Sequence, residues 1–378
     1  MRLVWIEARD FRNHADTRLE VPDGLAIAVG GNGEGKTNLL EAMFYGLTLS
    51  SPRSSSDQPL IRTGASSAYV RCEVEGPAGR TLVEVEVRPA GANRVQVNRS
   101  SLRRRRDIRR VARAVFFGPG DLEVVQGDPG ARRDFLDEAV ATLWPLREPT
   151  ATAYERVLRQ RNRLLKEWEG GGAPPDLPAW DAELVTAGSA LTAARAEAVE
   201  RVGPLAGEEF EALTGYGLET RYAPSVPFEA GWGTQELERA YRARLAERRA
   251  DELVRRVTLV GPHRDDLALA VRELTARSFA SHGEAWAAAL ALRLGQARAV
   301  TEELGEPPVL LLDDPFPGLD PVRQKRLADR VEGRGQTVLS VADRTHVIEG
   351  AAVVWSVQGG EVSPMDGGAP TRPDRKGD

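Results

Sequence analysis

The residues with the clearest chemical purpose form the run Gly30-Gly31-Asn32-Gly33-Glu34-Gly35-Lys36-Thr37, which fits the phosphate-binding pattern G-x-x-x-x-G-K-[ST]. An apolar stretch precedes the run and a helix-forming stretch follows it, so the motif lies where a strand turns into a helix. Glycines allow the backbone angles of such a loop, whose N–H groups and following helix end attract phosphate. The run predicts a nucleoside triphosphate site. Its candidate ATP-binding residues are Gly30, Asn32, Gly33, Gly35, Lys36, Thr37 and Asn38.

A second chemical signal is the apolar stretch 308–312, which runs into Asp313 and Asp314. In P-loop ATPases such a strand supplies an acid for the metal and an acid for the attacking water. We therefore expect Asp313 to bind Mg²⁺ beside Thr37, and Asp314, with Lys36, to serve hydrolysis. Many ATPases of this shape carry Glu at the second position. Because Asp is one methylene shorter, we expect slow hydrolysis.

Two further motifs follow the order found in ABC-type ATPases. Ser281-His282-Gly283-Glu284, which opens a predicted helix over 285–304, resembles a short signature motif, and Gly318-Leu319-Asp320 resembles a D-loop. Taken alone, Ser281 is better explained as a helix N-cap, and the order of the motifs along the chain favours the signature instead. In ABC-type ATPases the signature caps the γ-phosphate of a nucleotide held by the opposite subunit. One P-loop and one signature per chain therefore predict an ATP-dependent, head-to-tail homodimer.

Composition limits the class of protein. The 378 residues carry a net charge of −5, so a nucleic-acid role must rest on a local basic patch. The sequence contains no run of 18 apolar residues that would indicate a membrane helix, and we expect no membrane partner. The single cysteine, Cys72, excludes an internal disulfide and suits a reducing cytoplasm. Its alternation with charged residues predicts that it faces a core.

The pattern along the chain predicts an α/β fold with a split core. Residues 1–127 and 257–362 read as the ATPase lobe, with mixed β-sheets around the P-loop helix, and residues 128–256 read as an inserted, mostly helical lobe without a long coiled coil. The P-loop strand and the late strands must share one sheet. We expect the tail, 363–378, to be disordered because it lacks the apolar residues of a core.

Periodicity gives the individual elements. Residues 81–88 alternate strictly, which predicts a half-buried strand with Val83, Val85 and Val87 on one face. Further strands are expected at 258–260, 267–271, 309–312, 337–341 and 352–357. Helices are expected at 135–143, 154–168, 180–202, 205–213 and 235–254.

Several segments together resemble the RecF family over roughly residues 1–362. They are residues 10–13, the P-loop extended to 42, 51–53 with Asp57, 116–122 and 127–137. The segment 261–267, GPHRDDL, is the most distinctive because it belongs to RecF and not to ABC ATPases generally. The resemblance implies a bacterial recombination mediator that binds gapped DNA at single-strand/double-strand junctions in an ATP-dependent way. It also implies work with RecR and RecO to load RecA.

The resemblance also implies roles for single residues. Arg12 and Asn13 resemble residues that approach the nucleotide from outside the P-loop, and Gln126 is the candidate Q-loop glutamine. Three roles are open for His263 and Arg264: contact with phosphates, coupling of the two lobes, or a structural polar turn.

The chain departs from the family at two places. His14 stands where the family usually has an aromatic residue, which leaves base stacking there open. The switch position reads Ser340-Val341-Ala342-Asp343, so Ser340 and Asp343 are both candidate sensors of the γ-phosphate.

Arginine clusters are the candidate DNA contacts. Arginine binds phosphate through forked donors, although charge runs are also common on solvated loops and edge strands. The first cluster lies in 99–113 and comprises Arg103, Arg104, Arg105, Arg106, Arg109 and Arg110. A second lies on one predicted helix and comprises Arg156, Arg159, Arg161, Arg163 and Lys166. The arginines near 242–249 are balanced by acids and read as a solvated face. No pattern reads bases, so recognition should be of backbone and junction shape.

Three alternatives share the nucleotide motifs. A transporter ATPase is disfavoured by the long spacing from P-loop to signature and by the missing switch His. A chromosome-structure head of the SMC or Rad50 kind needs long heptad segments, which the Pro and Gly residues of the insert interrupt. An ATP-binding DNA clamp without significant turnover remains compatible with every motif.

Overall fold

The computed structural model describes residues 1–76, 79–229 and 231–365, without the side chains of Arg105 and Arg106. The tail that we expect to be disordered lies outside the described residues from 366 onward, whereas Ser363 and Pro364 belong to the last strand. Among the described residues, no helix is both long enough and apolar enough to span a membrane.

The described strands are numbered in chain order. They are β1 Arg2–Phe11, β2 His14–Glu20, β3 Leu25–Val29, β4 Ala68–Gly76, β5 Gly79–Val87, β6 Arg94–Val97, β7 Ser100–Ser101, β8 Ala114–Phe117, β9 Leu218–Ala223, β10 Asp266–Val271, β11 Leu274–Thr275, β12 Val309–Asp313, β13 Thr337–Val341, β14 Val353–Gln358 and β15 Glu361–Pro364. The described helices are α1 Lys36–Thr48, α2 Leu122–Gln126, α3 Pro129–Leu143, α4 Pro149–Glu167, α5 Leu177–Thr214, α6 Thr234–Arg255, α7 Ala276–Phe279, α8 His282–Leu304 and α9 Pro321–Val331.

Chain contacts divide these elements into two units. The first comprises Met1–Asp121, Ala212–Gly215 and the residues from Gln296 onward, and the second comprises Leu122–Glu211 and Tyr216–Gly295. The division differs from the one expected at residue 257. Residues 257–295 lie in the second unit because β10 pairs with β9 along its whole length.

The first unit contains the sheet that carries the P-loop. Its order is β15-β14-β3-β13-β12-β8, in which every pair except β14 with β15 is parallel. The P-loop strand β3 and the acid-bearing strand β12 therefore share one sheet, as expected, with β13 between them. Strands β3, β12 and β13 are buried throughout, as is usual for parallel strands. Because parallel strands end at the same edge, their C-terminal residues meet there.

A six-stranded antiparallel sheet, β2-β1-β4-β5-β6-β7, completes the first unit. Val83, Val85 and Val87 are buried on one face of β5, and Cys72 is buried on β4, as their alternation predicts. Helix α1 contacts strands of both sheets and is buried at almost every position. The P-loop helix is therefore the centre of this core.

The second unit packs α4, α5 and α6 around a core that includes Tyr154, Leu184 and Tyr241. It also contains the three-stranded sheet β11-β10-β9. The strand expected at 258–260 is wrong. Backbone N–H groups in this segment donate to side chains and not to a neighbouring strand. Thr258 N donates to Asn162 Oδ1 at 2.8 Å, and Leu259 N donates to Glu252 Oε1 at 2.8 Å.

The expected break between helices 180–202 and 205–213 is also wrong, because α5 continues through Pro204. A proline inside a helix removes one hydrogen bond and costs about 3 kcal/mol. The same stretch of α5 lies close against β9. A side chain at Gly203 would meet Thr220 Oγ1 at 2.2 Å, and one at Gly207 would meet the Leu218 carbonyl at 3.1 Å. The two glycines allow the helix to lie directly on the strand.

Candidate functional site

The P-loop connects β3 to α1 at the C-terminal edge of the parallel sheet. Its bend requires positive φ angles at Gly33 (84°) and Gly35 (116°), which only glycine adopts readily. Lys36 Nζ donates to the carbonyls of Gly30 and Gly31 at 2.7 and 2.9 Å. The ammonium group therefore lies against the loop, where its charge is available to an anion held by the same loop.

The N-terminus of α1 adds to this positive potential. The helix begins at Lys36, and its first N–H groups, including those of Thr37 and Asn38, have no acceptor within the helix. The first turn carries no acidic residue that would neutralise the helix dipole. The loop and the helix end thus form a site suited to phosphate.

The metal-site candidates meet as expected. Thr37 Oγ1 lies 2.8 Å from Asp313 Oδ2 and 3.0 Å from Asp313 Oδ1. Ser340 Oγ donates to Asp313 Oδ1 at 2.7 Å, so the carboxylate is held from both neighbouring elements. A hydroxyl and a carboxylate are hard oxygen ligands of the kind that Mg²⁺ prefers.

Asp314 is the candidate general base. Its φ of 48° is uncommon for a residue other than glycine, and its N–H donates to Ser340 Oγ at 3.0 Å. Burial raises the pKa of the Asp314 carboxyl, and the neighbouring Asp313 raises it further. Lys36 and His346 oppose this rise in the pKa. His346 stacks on Phe316 with ring centroids 5.5 Å apart. Asp343, the other candidate sensor, is exposed and caps the turn that follows, accepting from Thr345 N at 2.8 Å.

Glu41 is a site residue that the sequence analysis did not single out. It is fully buried on α1 and receives two bonds of 2.8 Å from Arg12 Nε and Nη2. Ser51 Oγ donates to it at 2.5 Å and Arg53 Nη1 at 3.4 Å. Only its position four residues after Thr37 could have signalled this role. Glu41 therefore anchors both Arg12 and the 51–53 loop to the P-loop helix.

Asn13 contacts the P-loop directly. Its Nδ2 donates to the Glu34 carbonyl at 3.0 Å, and its Oδ1 accepts from Asn38 Nδ2 at 2.8 Å. A side chain at Gly35 would meet Asn13 Nδ2 at 2.6 Å. The structure thus brings Asn13 together with the loop, whereas the contact of Asn13 and Arg12 with nucleotide stays a prediction.

His14 lies beneath the P-loop and is fully buried, so it presents no ring face for a base to stack on. Its Nε2 is 3.1 Å from the Gly35 carbonyl and its Nδ1 is 2.8 Å from the Gly360 carbonyl. Burial lowers the pKa of His14. Its position is structural: it connects the loop to the turn between β14 and β15.

The signature candidate lies in the second unit as a helix cap. Ser281 Oγ accepts from Glu284 N at 3.3 Å, and Glu284 Oε2 accepts from Ser281 N at 2.9 Å. These two bonds form a capping box at the start of α8, and the box spans the partly buried Gly283. Tyr216 Oη donates to Glu284 Oε1 at 2.7 Å, and the Arg272 guanidinium lies over the Tyr216 ring at 3.8 Å. Ser281 itself is exposed. Both readings of this residue, cap and signature, are compatible with this geometry.

Two other motif residues occupy helix ends. Asp320 caps α9 in the first unit, accepting from Arg323 N at 2.9 Å. Gln126 ends the short helix α2 in the second unit and is partly buried. Their proposed D-loop and Q-loop roles stay predictions.

The GPHRDD segment forms a turn inside the second unit. His263 Nδ1 lies 2.6 Å from Tyr154 Oη, and its Nε2 lies 3.1 Å from the Thr258 carbonyl. Burial lowers the pKa of His263 to about 4. A side chain at Gly261 would meet Tyr241 Oη at 2.0 Å, which explains the glycine. Of the readings left open for His263, this geometry favours the structural turn; Arg264 is exposed.

The first arginine cluster is only partly on the surface. Arg103, Arg104 and Arg110 are exposed, and the side chains of Arg105 and Arg106 are not described. The prediction that Arg109 contacts DNA is wrong, because its side chain is only 6% exposed and donates to Ser50 Oγ at 3.4 Å. Its guanidinium is therefore part of the fold and is not a surface contact.

The fold and the P-loop site define an ABC-type P-loop ATPase head with a mostly helical second unit. The model of the RecF/RecN/SMC N-terminal domain matches residues 2–361. A protein of Cutibacterium acnes named DNA replication and repair protein RecF is 41% identical over 96% of this chain and 98% of its own length. The relative of that name from Streptomyces avermitilis is 43% identical over 90% and 94%. The chain belongs to the RecF family.

Solved structures agree with this assignment. The recombination mediator protein RecF-ATP in the RecFOR pathway superposes with a TM-score of 0.88 at 27% identity, covering 96% of this chain and 97% of the other. An SMC head bound to the C-terminal winged-helix domain of ScpA gives a TM-score of 0.58 at 15% identity over 97% of each chain. The second likeness concerns the fold alone.

Proposed function

We propose that this chain is an ATP-gated, DNA-binding recombination mediator. It binds ATP with Mg²⁺, dimerises head to tail, and recognises gapped DNA at single-strand/double-strand junctions. It then helps RecO and RecR to load RecA, and slow, DNA-stimulated hydrolysis releases the DNA. The curated relatives are named for DNA replication and repair, and the superposed RecF structure is named with ATP and as a recombination mediator.

The observation that carries the proposal is the meeting of Thr37 and Asp313 at the mouth of the P-loop, 2.8 Å apart. Among the described residues no group of three or more His, Cys, Asp or Glu could hold a metal ion. This fits Mg²⁺, which is usually bound by one or two protein ligands together with phosphate oxygens and water. Thr37 and Asp313 would hold the ion, which neutralises charge on the β- and γ-phosphates when bound.

The other site residues follow from their positions. Lys36 would exchange its bonds to the Gly30 and Gly31 carbonyls for bonds to phosphate oxygens, because an ammonium bonds more strongly to a charged acceptor than to a neutral carbonyl. Asp314 would orient the attacking water and accept its proton once the carboxyl is ionised. Its side chain, one methylene shorter than that of Glu, favours slow turnover.

Dimerisation would complete the site. Ser281, Gly283 and Glu284 lie at the N-terminus of α8, and Ser281 is exposed. The helix end and the hydroxyl suit an anion, and in a head-to-tail dimer they would close over the γ-phosphate of the opposite subunit. Under this proposal, each ATP is bound at the dimer interface by residues of both copies of the chain.

DNA contact in the first unit rests on Arg103, Arg104 and Arg110, with Arg105 and Arg106 of the same segment. Opposite charges alternate across the antiparallel sheet beside them: Glu7 faces Arg18 and Arg71, and Arg71 faces Glu84. This face is therefore electrostatically balanced. The arginine segment is the better candidate for phosphate.

The test is binding of labelled gapped DNA with and without ATP. Wild type should bind more tightly with ATP, and Lys36→Ala should lose that increase. Replacing Arg103, Arg104, Arg105 and Arg106 with alanine should weaken binding and flatten its salt dependence. ATP-independent binding would sink the gating proposal. ATP-dependent binding without any DNA-stimulated phosphate release would favour the clamp that does not turn over.

A further inference from the structure

The exposed side of α4 carries a row of basic residues that the nucleotide site does not use. Arg156, Arg159, Arg163 and Lys166 are exposed and follow one another at spacings of three, four and three residues. At about 100° per residue, these positions fall within an arc of about 80° on the helix surface. We call these four residues the α4 basic row.

Packing fixes the direction of this row. The opposite side of α4 is buried through Tyr154, Val157 and Leu165. Arg161, which the sequence placed in the same cluster, belongs to the buried side and is fully enclosed. It pairs with Glu252 at 2.6 Å and with Asp181 at 2.9 Å. The buried ion pairs and apolar contacts therefore hold the helix with the α4 basic row outward.

Most of the charge in the row is unpaired, although the exposed Glu155 lies four residues before Arg159 on the same helix. Within the part of the chain that the structure describes, Arg156, Arg159 and Lys166 make no ion pair. Arg163 pairs with Glu167 at 2.9 Å, but both side chains are more than 60% exposed. Such a pair contributes little and exchanges readily for another anion.

Helix α6 of the same unit shows the contrasting case. Four of its arginines each bind an acid three or four residues away on the same helix. The pairs are Arg239 with Glu236, Arg242 with Glu238, Arg244 with Glu247, and Arg248 with Asp251. This helix is a solvated face, as its composition indicates. The two arginine-rich helices thus differ: these arginines of α6 are paired within their own helix, whereas most of the α4 basic row is not.

We infer that the α4 basic row binds the phosphate backbone of nucleic acid as a second contact, apart from the 103–110 segment. This inference rests on the DNA binding proposed above. The row is about 15 Å long, which matches the axial length of about four phosphates on one strand of a duplex. Arginine and lysine on a helix face bind such phosphates without reading bases. The row carries no exposed apolar residue of the kind that a membrane-binding helix inserts, which disfavours a lipid surface.

The test compares two triple variants in gapped-DNA binding across a salt series, in the presence of ATP. Arg156→Gln, Arg159→Gln and Lys166→Gln together should lower affinity at least tenfold at low salt. They should also reduce the slope of log K against log salt by up to about 2.7, or 0.9 for each phosphate contact. The matched control, Arg239→Gln, Arg242→Gln and Arg248→Gln, should change affinity less than threefold. Thermal melting of both variants checks the fold.

The outcomes separate this inference from the proposed function. Equal loss in both triple variants would show a general charge effect and overturn the α4 contact. Wild-type affinity and slope in the α4 variant would also overturn it, while ATP-dependent binding by the wild type would leave the proposed function standing. If the wild type itself binds no DNA, the proposed function is wrong, and the inference with it.

Discussion

Thr37 Oγ1 and Asp313 Oδ2 lie 2.8 Å apart although 276 positions separate them in the chain. The parallel sheet produces this contact because β3 and β12 end at the same edge. Ser340, at the equivalent place on β13, holds the second oxygen of Asp313 at 2.7 Å. Strands β12 and β13 thus present one carboxylate to a hydroxyl in the first turn of the P-loop helix.

Replacing Asp313 with Asn should remove the Mg²⁺ dependence of ATP binding and lower hydrolysis at least 100-fold, or about 2.7 kcal/mol. The amide keeps the shape and can still bond Thr37, but it loses the charge that attracts the metal. Titration of ATP with and without Mg²⁺ measures the effect. Ser340→Ala, which keeps the carboxylate, should fall well short of this loss. Undiminished Mg²⁺-dependent binding in Asp313→Asn would remove Asp313 from the metal site.

Hydrolysis should rise with pH through the pKa of Asp314. Burial and Asp313 raise this pKa, so the carboxyl is still protonated at a pH where an exposed Asp is ionised, and a protonated acid cannot accept a proton. Asp314→Asn should lower turnover at least tenfold, abolish this rise and leave ATP bound. Steady-state phosphate release across pH checks this. An unchanged pH profile in the variant would assign the base elsewhere.

Tyr216→Phe should weaken the ATP-driven dimer about three- to tenfold, the value of one hydrogen bond. Tyr216 donates to Glu284 at 2.7 Å, and Glu284 in turn holds Ser281. Removing the hydroxyl should therefore loosen Ser281 without touching it. Tyr69→Phe, at an exposed tyrosine in the first unit, is the control. Equal dimer affinities in a sedimentation titration of both variants would contradict a positioning role for Tyr216.

His263 should make stability fall in acid. Burial lowers its pKa from 6.5 to about 4, and the nearby Arg264 lowers it further, while the bond to the Thr258 carbonyl opposes this fall in the pKa. Its stabilising contribution is thus present above pH 6.5 and lost as pH falls towards 4, by up to about 3 kcal/mol. Denaturant unfolding of wild type and His263→Gln should show their difference shrinking from pH 7 to 4.5. A constant difference would count against this coupling.

The sequence alone was sufficient to predict those site residues that belong to local sequence patterns. Lys36 and Thr37 follow from glycine spacing before a helix, and Asp313 and Asp314 follow from an apolar strand ending in acids. The shared sheet was predictable because the P-loop and the two acids must meet at the same edge of one sheet. The family resemblance predicted the fold class, which the family model and the RecF structure confirm.

Residues whose roles depend on distant contacts could not be predicted. Glu41 has no distinguishing sequence pattern, and its role appears only in its contact with Arg12. His14 is buried between the P-loop and the Gly360 turn, which are distant from each other in the sequence. Helix α5 continues through Pro204, where Gly203 and Gly207 lie against Thr220 and Leu218 of β9. Local propensity reads Gly203-Pro204 as a break, and tertiary packing overrides it.

The central claim, that Ser281 completes the ATP site of a second copy, is tested most directly by sedimentation of Ser281→Arg with ATP and Mg²⁺. Wild type should form dimers with ATP and remain monomeric without it, and Lys36→Ala should stay monomeric in both. Ser281→Arg should bind ATP yet remain monomeric, because the larger side chain blocks the γ-phosphate contact. Wild-type dimerisation by Ser281→Arg would contradict the account.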